Sequence, residues 1–182
     1  MELEAHTIAE PELIELFDEG QISLRVDELA RAVAARLPGE FVVVGLLVGS
    51  FVFVADLVRA LYRLGRNPGI EFMRLNSYGT GRESSGTVRL VGDFELDLSG
   101  RSVLLIDDIV DTGRTLLHAR DLLREKQASS ILTCALVDKP SRREVSIEVD
   151  FVGFTIPDVF IVGYGIDYAH RYRHLPFIAK ID

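Results

Sequence analysis

The sequence predicts an α/β fold with a mostly parallel sheet and helices on both faces, and three observations support this. Short β-branched runs alternate with helical patterns along the chain, as expected for strands joined by right-handed crossovers. Several runs are continuously apolar, which is typical of strands covered on both faces. The chain has 182 residues, 48% of them apolar, so a single domain over residues 1–182 can bury its own core.

The N-terminal half is predicted to contain three helices and two strands. Pro11 suits the first turn of a helix, because its missing N–H would be unbonded there anyway. Ser23 can cap the following helix, and Pro38-Gly39 would end it. A β-branched apolar run then indicates a strand, and apolar residues recur at helical spacing after it. The predicted elements are helices over residues 11–17, 23–37 and 51–64 and strands over residues 41–48 and 70–76.

The C-terminal half is predicted to be richer in strands. Residues 77–87 contain three glycines and three serines, so we expect a mobile loop there. A buried strand over residues 103–106 leads through a turn into a helix over residues 114–125. The other predicted strands cover residues 88–91, 94–98, 131–137, 151–155 and 160–164.

Charge and cysteine content argue against several classes of protein. The chain has 20 basic and 28 acidic residues and a net charge of −8, which disfavours a protein that coats nucleic acid. Its single cysteine, Cys134, lies in an apolar run and can form neither an internal disulfide nor a cysteine-based zinc site. No secretory signal or membrane-spanning stretch is found. We therefore expect a cytoplasmic protein that contacts no membrane.

The segment most informative about function is Val103-Leu-Leu-Ile-Asp-Asp-Ile-Val-Asp-Thr-Gly-Arg-Thr115. Ligands of open α/β sheets bind at the carboxyl ends of strands, and a helix N-terminus at that edge favours a phosphate. Gly113 lets the backbone approach a ligand closely. The adjacent acids Asp107 and Asp108 could accept hydrogen bonds from a sugar and help to hold a divalent cation. Taken singly, Asp111 could be an ordinary helix cap, but the whole string favours a sugar-phosphate site.

This string resembles the phosphoribosyl-diphosphate-binding motif of type I phosphoribosyltransferases. Further segments resemble the hypoxanthine-guanine phosphoribosyltransferases: Leu75-Asn-Ser-Tyr-Gly79, Asp138-Lys-Pro140 and the block from Asp150 to Tyr168. The resemblance runs from about Ile22 to the end of the chain. It implies the type I phosphoribosyltransferase fold, with a small hood formed by the chain ends. It also implies a purine salvage transferase that converts hypoxanthine, guanine or both to IMP or GMP, using phosphoribosyl diphosphate and Mg²⁺ and releasing diphosphate.

The resemblance implies a role for each motif residue. Asp107 and Asp108 would bind the ribose hydroxyls and the metal, and Asp111 would act as general base at purine N7. The 5′-phosphate would be bound by Asp111, Thr112, Gly113, Arg114 and Thr115. The diphosphate would be bound by Val48, Gly49, Ser77, Tyr78 and Arg173. The purine would be bound by Lys139, Phe160, Ile161 and Asp167, and Asp167 would also bind the metal.

The chain departs from the family pattern at two places, and three assigned residues have ordinary alternatives. Many relatives have Glu-Asp where this chain has Asp107-Asp108. Many relatives carry Lys or Arg where this chain has Val48, so no cationic side chain is expected before Gly49. Lys139 could instead be a surface lysine, Phe160 a core phenylalanine and Asp167 a turn residue.

A different class of function stays open at this point. Some relatives retain the fold as regulatory proteins that bind RNA or DNA. The net acidic charge disfavours that interpretation. The resemblance also implies a homo-oligomer, either a dimer or a tetramer.

Overall fold

The computed structural model describes residues 11–37, 39–78, 87–91 and 97–181. These residues form two sheets, three α-helices and a single 3-10 turn over Pro140–Arg142. In chain order the elements are β1 (Leu13–Phe17), α1 (Glu19–Arg36), β2 (Phe41–Leu47), α2 (Phe51–Arg63), β3 (Gly69–Tyr78), β4 (Thr87–Val91), β5 (Ser102–Val110), α3 (Arg114–Glu125), β6 (Ser130–Asp138), β7 (Phe151–Thr155), β8 (Ile161–Val162) and β9 (Ile178–Ile181).

The larger sheet has the strand order β4-β3-β2-β5-β6-β7. Five of its strands run parallel, and β4 pairs antiparallel with β3 at one edge. The predicted mostly parallel α/β sheet is therefore confirmed.

The two faces of this sheet carry separate buried cores. Successive side chains of a strand point to opposite faces, and the paired strands β2 and β5 follow this rule. Val43 and its partner Leu104 belong to the cluster that contains the buried faces of α1 and α2, whereas Val42 and Val103 pack with α3. Because both faces are covered, these strands can be apolar at every position, which is the pattern seen in the sequence.

The smaller sheet is a hood made from both ends of the described chain. Its strand order is β1-β9-β8, and all of its pairs are antiparallel. The predicted helix over residues 11–17 is wrong, because Leu13–Phe17 is a strand that pairs with Ile178–Ile181. The Phe17 ring also stacks on Phe154 with 3.9 Å between ring centroids. The strand partner Ile178–Ile181 and the ring partner Phe154 both lie far away in sequence, so the pattern of residues 11–17 could not indicate them.

The first helix begins earlier than predicted. Asp18, not Ser23, is its N-cap. The Gln21 N–H donates to Asp18 Oδ1 at 2.7 Å, and the Asp18 N–H donates to Gln21 Oε1 at 2.9 Å. This reciprocal pair is a capping box, and Ser23 lies exposed inside the helix.

The remaining predicted elements differ mainly at their ends. The helix over residues 114–125 and the strand over residues 151–155 are confirmed. The predicted loop over residues 77–87 is wrong at its ends, because β3 extends to Tyr78 and β4 begins at Thr87. Residues 79–86 and 92–96, which include most of one predicted strand, lie outside the described residues. Among the described helices, none is long and apolar enough to cross a membrane.

We expect the Asp18 cap of α1 to contribute to the free energy of unfolding. Asp18→Ala removes the side-chain oxygen that accepts the Gln21 N–H, and it is expected to lower the free energy of unfolding by about 0.5–2 kcal/mol. Ser23→Ala is the matched control and should change it by less than about 0.5 kcal/mol. Urea unfolding of the two variants measures the difference, and equal losses would contradict this assignment of the cap.

Candidate active site

Three adjacent parallel strands end at one edge of the sheet, and a turn, a loop and a lysine follow them. The turn after β2 begins at Val48, the loop after β5 begins at Asp111, and Lys139 follows β6. Val110 pairs with Asp138 across β5 and β6, and the Lys139 N–H donates to the Val110 carbonyl at 3.0 Å. Lys139 therefore starts beside the loop that contains Asp111, at the edge where open α/β sheets bind ligands.

The loop after β5, residues Asp111–Thr115, ends at the exposed N-terminus of α3. Gly113 is the N-cap residue, has a φ of 81° and forms no side-chain cap. A Cβ at Gly113 would lie 2.7 Å from Ile147 Cγ2 and 2.9 Å from Arg143 Cδ, so a larger residue does not fit. Arg114 and Thr115 are exposed, and Thr112 Oγ1 accepts a long bond of 3.3 Å from the Arg114 N–H. The uncapped N–H groups of α3 suit a phosphate.

Two arginines that sequence reasoning missed hold Asp111. The Arg142 Nε donates to the Asp111 carboxylate at 3.1 Å, and Arg142 Nη1 lies 3.6 Å from Asp158. Arg143 donates to the Asp111 carbonyl at 2.6 Å and to the Asp138 carboxylate. Asp111 is therefore not a helix cap, since its carboxylate faces Arg142. The signal in the sequence is the adjacent arginine pair that closely follows Lys139.

The two acids at the end of β5 are held against the turn after β2. Asp107 is 8% exposed and its Oδ1 accepts the Asp108 N–H at 3.1 Å. Burial, reinforced by the neighbouring Asp108 charge, raises the pKa of Asp107 well above the ordinary carboxyl value. Burial also raises the pKa of Asp108, and the Arg173 charge opposes that shift. A Cβ at Gly49 would overlap the Asp108 carboxylate, so the turn and the acid pair touch directly.

This acid pair, one member buried and the other half-buried, fits a divalent cation such as Mg²⁺. Two adjacent carboxyl groups with raised pKa values would gain from a cation that offsets their charge. Within the described ranges, no group of three or more acidic, histidine or cysteine residues could hold a metal by itself. Mg²⁺ commonly binds through one or two carboxylates and completes its shell with water and substrate phosphates, so the pair is sufficient.

Asp167 is already engaged by neighbours. Its Oδ2 accepts the His170 N–H at 2.8 Å, and its Oδ1 lies 2.6 Å from Arg173 Nη2. Arg173 in turn donates to the Gly165 carbonyl at 2.6 Å. Gly165 lies against the Gly49 carbonyl so closely that a Cβ would overlap it. Arg173 and Asp167 are therefore attached to the turn that contacts Asp108, and a metal-binding role for Asp167 stays a prediction.

Two of the residues predicted to bind the purine have a solvent exposure that is unusual for their residue type. Lys139 is 5% exposed, so it is not a surface lysine. Phe160 is 54% exposed, so it is not a core residue, and its ring meets the Tyr168 ring edge-on with 5.5 Å between centroids. Ile161 is buried in β8. A buried cationic side chain and an exposed aromatic ring are both typical of binding sites.

The other predicted diphosphate residues lie at the same edge of the sheet. Leu47, the last residue of β2, pairs with Arg74 of β3, so Ser77 and Tyr78 extend beyond the end of β2. Val48 is exposed beside this extension. The backbone of Ser77 and Tyr78 belongs to β3, and their side chains lie outside the described part of the chain.

A cavity of about 730 Å³ opens elsewhere, between α1, α2 and residues 173–176. None of the residues Asp111–Thr115 lines it, although Arg173 does. We therefore place the candidate active site at the sheet edge and not in this cavity.

A glycine-bearing loop at a helix N-terminus, beside an acid pair at the carboxyl end of a parallel strand, is typical of the class of proteins that bind phosphorylated sugars at the edge of a sheet. Comparison with known proteins specifies the class. The phosphoribosyl transferase domain model matches residues 15–169, and the chain belongs to that family. The family and the fold predicted from the sequence are thus confirmed.

Individual relatives cover nearly the whole chain. A hypoxanthine phosphoribosyltransferase of Escherichia coli (strain K12) is 44% identical over 169 residues, which are 91% of this chain and 93% of that protein. A hypoxanthine-guanine phosphoribosyltransferase of Aquifex aeolicus is 45% identical over 169 residues, with 92% and 93% covered. A crystal structure of the hypoxanthine-guanine phosphoribosyltransferase of Bacillus anthracis has a TM-score of 0.88 and 41% identity, covering 95% of this chain and 100% of that one.

The raised pKa of Asp107 predicts a pH-dependent stability cost. Between the unfolded and folded pKa values the folded chain binds more protons, so its stability falls as pH rises through that window. In metal-free buffer, Asp107→Asn is expected to raise the free energy of unfolding at pH 7 by about 0.5–2 kcal/mol. The gain should vanish below the ordinary carboxyl pKa of 3.8.

Asp97→Asn is the control with the opposite sign. The Ser99 N–H donates to Asp97 and holds the pKa of that carboxyl low, so this substitution should lower stability at neutral pH and lose its effect in acid. Urea unfolding across the acid-to-neutral range measures both variants. A gain for Asp107→Asn that is equal at all pH values would contradict the assignment.

Proposed function

We propose that this chain transfers the phosphoribosyl group of phosphoribosyl diphosphate to N9 of hypoxanthine, guanine or both. The observation that carries this proposal is the alignment of two adjacent strands. Val110 pairs with Asp138, so a phosphate-binding loop and a buried lysine begin side by side. That arrangement lets one ligand contact both, with its phosphate at the helix N-terminus and its base near Lys139. The names of the relatives support the same reaction.

The phosphate and the ribose are bound by the end of β5 and the loop after it. The 5′-phosphate lies on Asp111, Thr112, Gly113, Arg114 and Thr115, where the free N–H groups of α3 offset its charge. Asp107 and Asp108 accept hydrogen bonds from the ribose hydroxyls. Their negative charge also stabilises the positive charge that develops at ribose C1 as the bond to diphosphate breaks.

The diphosphate leaves on the side of Arg173. Its binding residues are Val48, Gly49, Ser77, Tyr78 and Arg173. Arg173 offers a planar set of donors, which suits phosphate oxygens. Val48 contributes no charge, so the backbone of its turn and Arg173 supply the donors on this side. Asp107 and Asp108 would hold Mg²⁺, with Asp167 as the further predicted ligand, and the cation would neutralise part of the negative charge on the departing diphosphate.

Asp111 accepts the proton from purine N7 as the glycosidic bond forms. In the absence of substrate, its carboxylate accepts a hydrogen bond from Arg142 Nε at 3.1 Å. An ion pair this exposed is weak, so the purine can displace the guanidinium when it enters.

The purine is bound by Lys139, Phe160, Ile161 and Asp167. The buried Lys139 donates to the 6-oxo group, and its three donors disfavour the amino group of adenine. The exposed Phe160 ring stacks on the base, as aromatic side chains do for any nucleobase.

We propose further that residues 1–182 act as one phosphoribosyltransferase domain in the cytoplasm. The family match over residues 15–169 supports one domain. Phosphoribosyl diphosphate is a polyanion that lipid bilayers exclude, which supports the location. We also propose a homo-oligomer, a dimer or a tetramer. The exposed apolar side chains of Val48, Phe51, Ile70 and Phe72 are surfaces that a second copy can cover.

The direct test is a panel of four purines with phosphoribosyl diphosphate and Mg²⁺, read by nucleotide formation. A gel-shift assay with RNA and DNA runs beside it, because a regulatory nucleic-acid-binding protein was the competing interpretation. Turnover of hypoxanthine or guanine without a shift supports the enzyme, and a shift without turnover would overturn it.

Asp111→Asn tests the proposed general base. The amide keeps the shape of the side chain but cannot take a proton, so kcat should fall about 10²–10⁴-fold while phosphoribosyl diphosphate still binds. Asp158→Asn is the matched control, because Asp158 also faces Arg142 but has no part in the reaction. Steady-state kinetics and equilibrium binding measure both variants. Near-normal turnover of Asp111→Asn would assign the N7 proton to another group.

Lys139→Ala tests the choice of purine. Removing a charged donor should lower the ratio of kcat/KM for hypoxanthine to that for adenine by about 10–100-fold. Lys126→Ala, which changes a lysine beyond the end of α3, is the control and should leave the ratio unchanged. If the two variants give the same ratio, Lys139 does not select the 6-oxo group.

A further inference from the structure

The segment that carries Asp167 and Arg173 has an unusual backbone. Among the described residues that are not glycine, five have a positive φ, and all but Gln127 lie between positions 164 and 172. Tyr164, with a φ of 50°, is flanked by Gly163 and Gly165 with φ values of 102° and 99°. Such conformations persist only where surrounding contacts enforce them, and they concentrate at functional sites.

Both neighbours of Tyr164 are fixed by close backbone approaches. A Cβ at Gly163 would overlap the Phe177 carbonyl, and a Cβ at Gly165 would overlap the Gly49 carbonyl. The Tyr164 N–H donates to the Leu175 carbonyl at 2.9 Å. Tyr164 therefore lies between the strand of the hood that follows Phe177 and the turn that touches Asp108.

The side chain of Tyr164 joins this segment to α2. It is 6% exposed, and its hydroxyl donates to Asp56 Oδ2. Burial, together with this hydrogen bond to Asp56, raises the pKa of Tyr164, so the hydroxyl keeps the proton that it donates. The other Asp56 oxygen faces Arg59. The hydroxyl has no role in the reaction proposed above, although burying it carries a cost that only this bond offsets.

Gly165, the residue after Tyr164, forms two hydrogen bonds with Arg173. The Gly165 N–H donates to the Arg173 carbonyl at 2.9 Å, and the Gly165 carbonyl accepts from Arg173 Nη1 at 2.6 Å. The Arg173 guanidinium is therefore held by two groups, the Asp167 carboxylate at 2.6 Å and the Gly165 carbonyl at 2.6 Å. Tyr164 anchors Gly165 from the preceding position.

We propose that Asp56 is a positioning residue for phosphoribosyl transfer: through the Tyr164 hydroxyl it fixes the Gly165 peptide, and through that peptide it aims Arg173 at the diphosphate. Neither Asp56 nor the Tyr164 hydroxyl contacts substrate in this scheme. The inference rests on the proposed function, since it requires Arg173 to bind diphosphate.

Tyr164→Phe removes the hydroxyl and keeps the ring. A small misdirection of Arg173 should raise KM for phosphoribosyl diphosphate, and the inhibition constant of diphosphate, by about 10-fold to 100-fold. KM for hypoxanthine should stay within about twofold, because the purine is bound elsewhere. Asp56→Ala should have the same effect. Asp56→Asn, which retains an oxygen acceptor, should restore near-normal values.

Arg59→Gln is the matched control. It removes the other partner of Asp56 and leaves the Tyr164 hydroxyl bond in place, so both KM values should be unchanged. Combining Tyr164→Phe with Asp56→Ala should cost no more than either change alone, because both break one interaction. Thermal unfolding of each variant separates loss of the fold from loss of positioning.

Three results would overturn the inference: equal changes in both KM values, normal diphosphate inhibition in Tyr164→Phe, or additive effects in the double variant. Arg173→Gln separates this failure from failure of the proposed function. If Arg173→Gln weakens diphosphate binding and Tyr164→Phe does not, only the positioning role is lost. If the wild-type chain has no transferase activity, or Arg173→Gln binds diphosphate normally, the role of Arg173 itself is wrong.

Discussion

The candidate site depends on one steric constraint, the contact between the Gly49 backbone and the Asp108 carboxylate. No Cβ fits between them, and Gly165 approaches the other side of the same turn equally closely. These two approaches join three parts of the chain that are distant in sequence: the turn after β2, the acids at the end of β5, and the segment that holds Arg173. Burial destabilises the charged forms of Asp107 and Asp108 and therefore raises the pKa values of both acids. Under the proposed function a cation and a polyanion bind here, and these ligands would offset the unfavourable burial of the two acids.

The sequence predicted best those parts of the fold whose causes are local. The bounds of α3 follow from Gly113 before it and from apolar spacing within it, and β7 is a short apolar run with clear ends. Residues 11–17 were predicted as a helix because Pro11 suits the first turn of a helix. They form a strand because Ile178–Ile181, at the other end of the chain, offers an antiparallel partner. A partner at that distance leaves no trace in an eleven-residue window. Asp18 was not predicted as the N-cap of α1, because the predicted helix over residues 11–17 placed the start of the next helix at Ser23.

The candidate site was predicted in a similarly uneven way. The acid pair and the phosphate loop form a continuous string, so their chemistry could be inferred directly from residue types and order. Lys139, Phe160 and Arg173 were assigned by resemblance, and their exposures distinguish them from ordinary surface or core residues. Arg142 and Arg143 were missed because their partners, Asp111 and Asp138, become neighbours only when β5 and β6 pair. Tyr164 and Asp56 were missed for the same reason, as α2 and the segment after β8 meet only in the folded chain.

The hood links the chemistry of this protein to the order in which its chain is synthesised. β1 is made first among the described strands, yet its partner β9 is made last, and β8, which carries Ile161, pairs with that same last strand. The central parallel sheet can form while the chain is still emerging, because all its strands precede residue 156. The hood must wait for β9, because β1 and β8 both pair with that strand. A chain synthesised only as far as β7 would thus hold the formed loop Asp111–Thr115 before Ile161 is fixed in the hood.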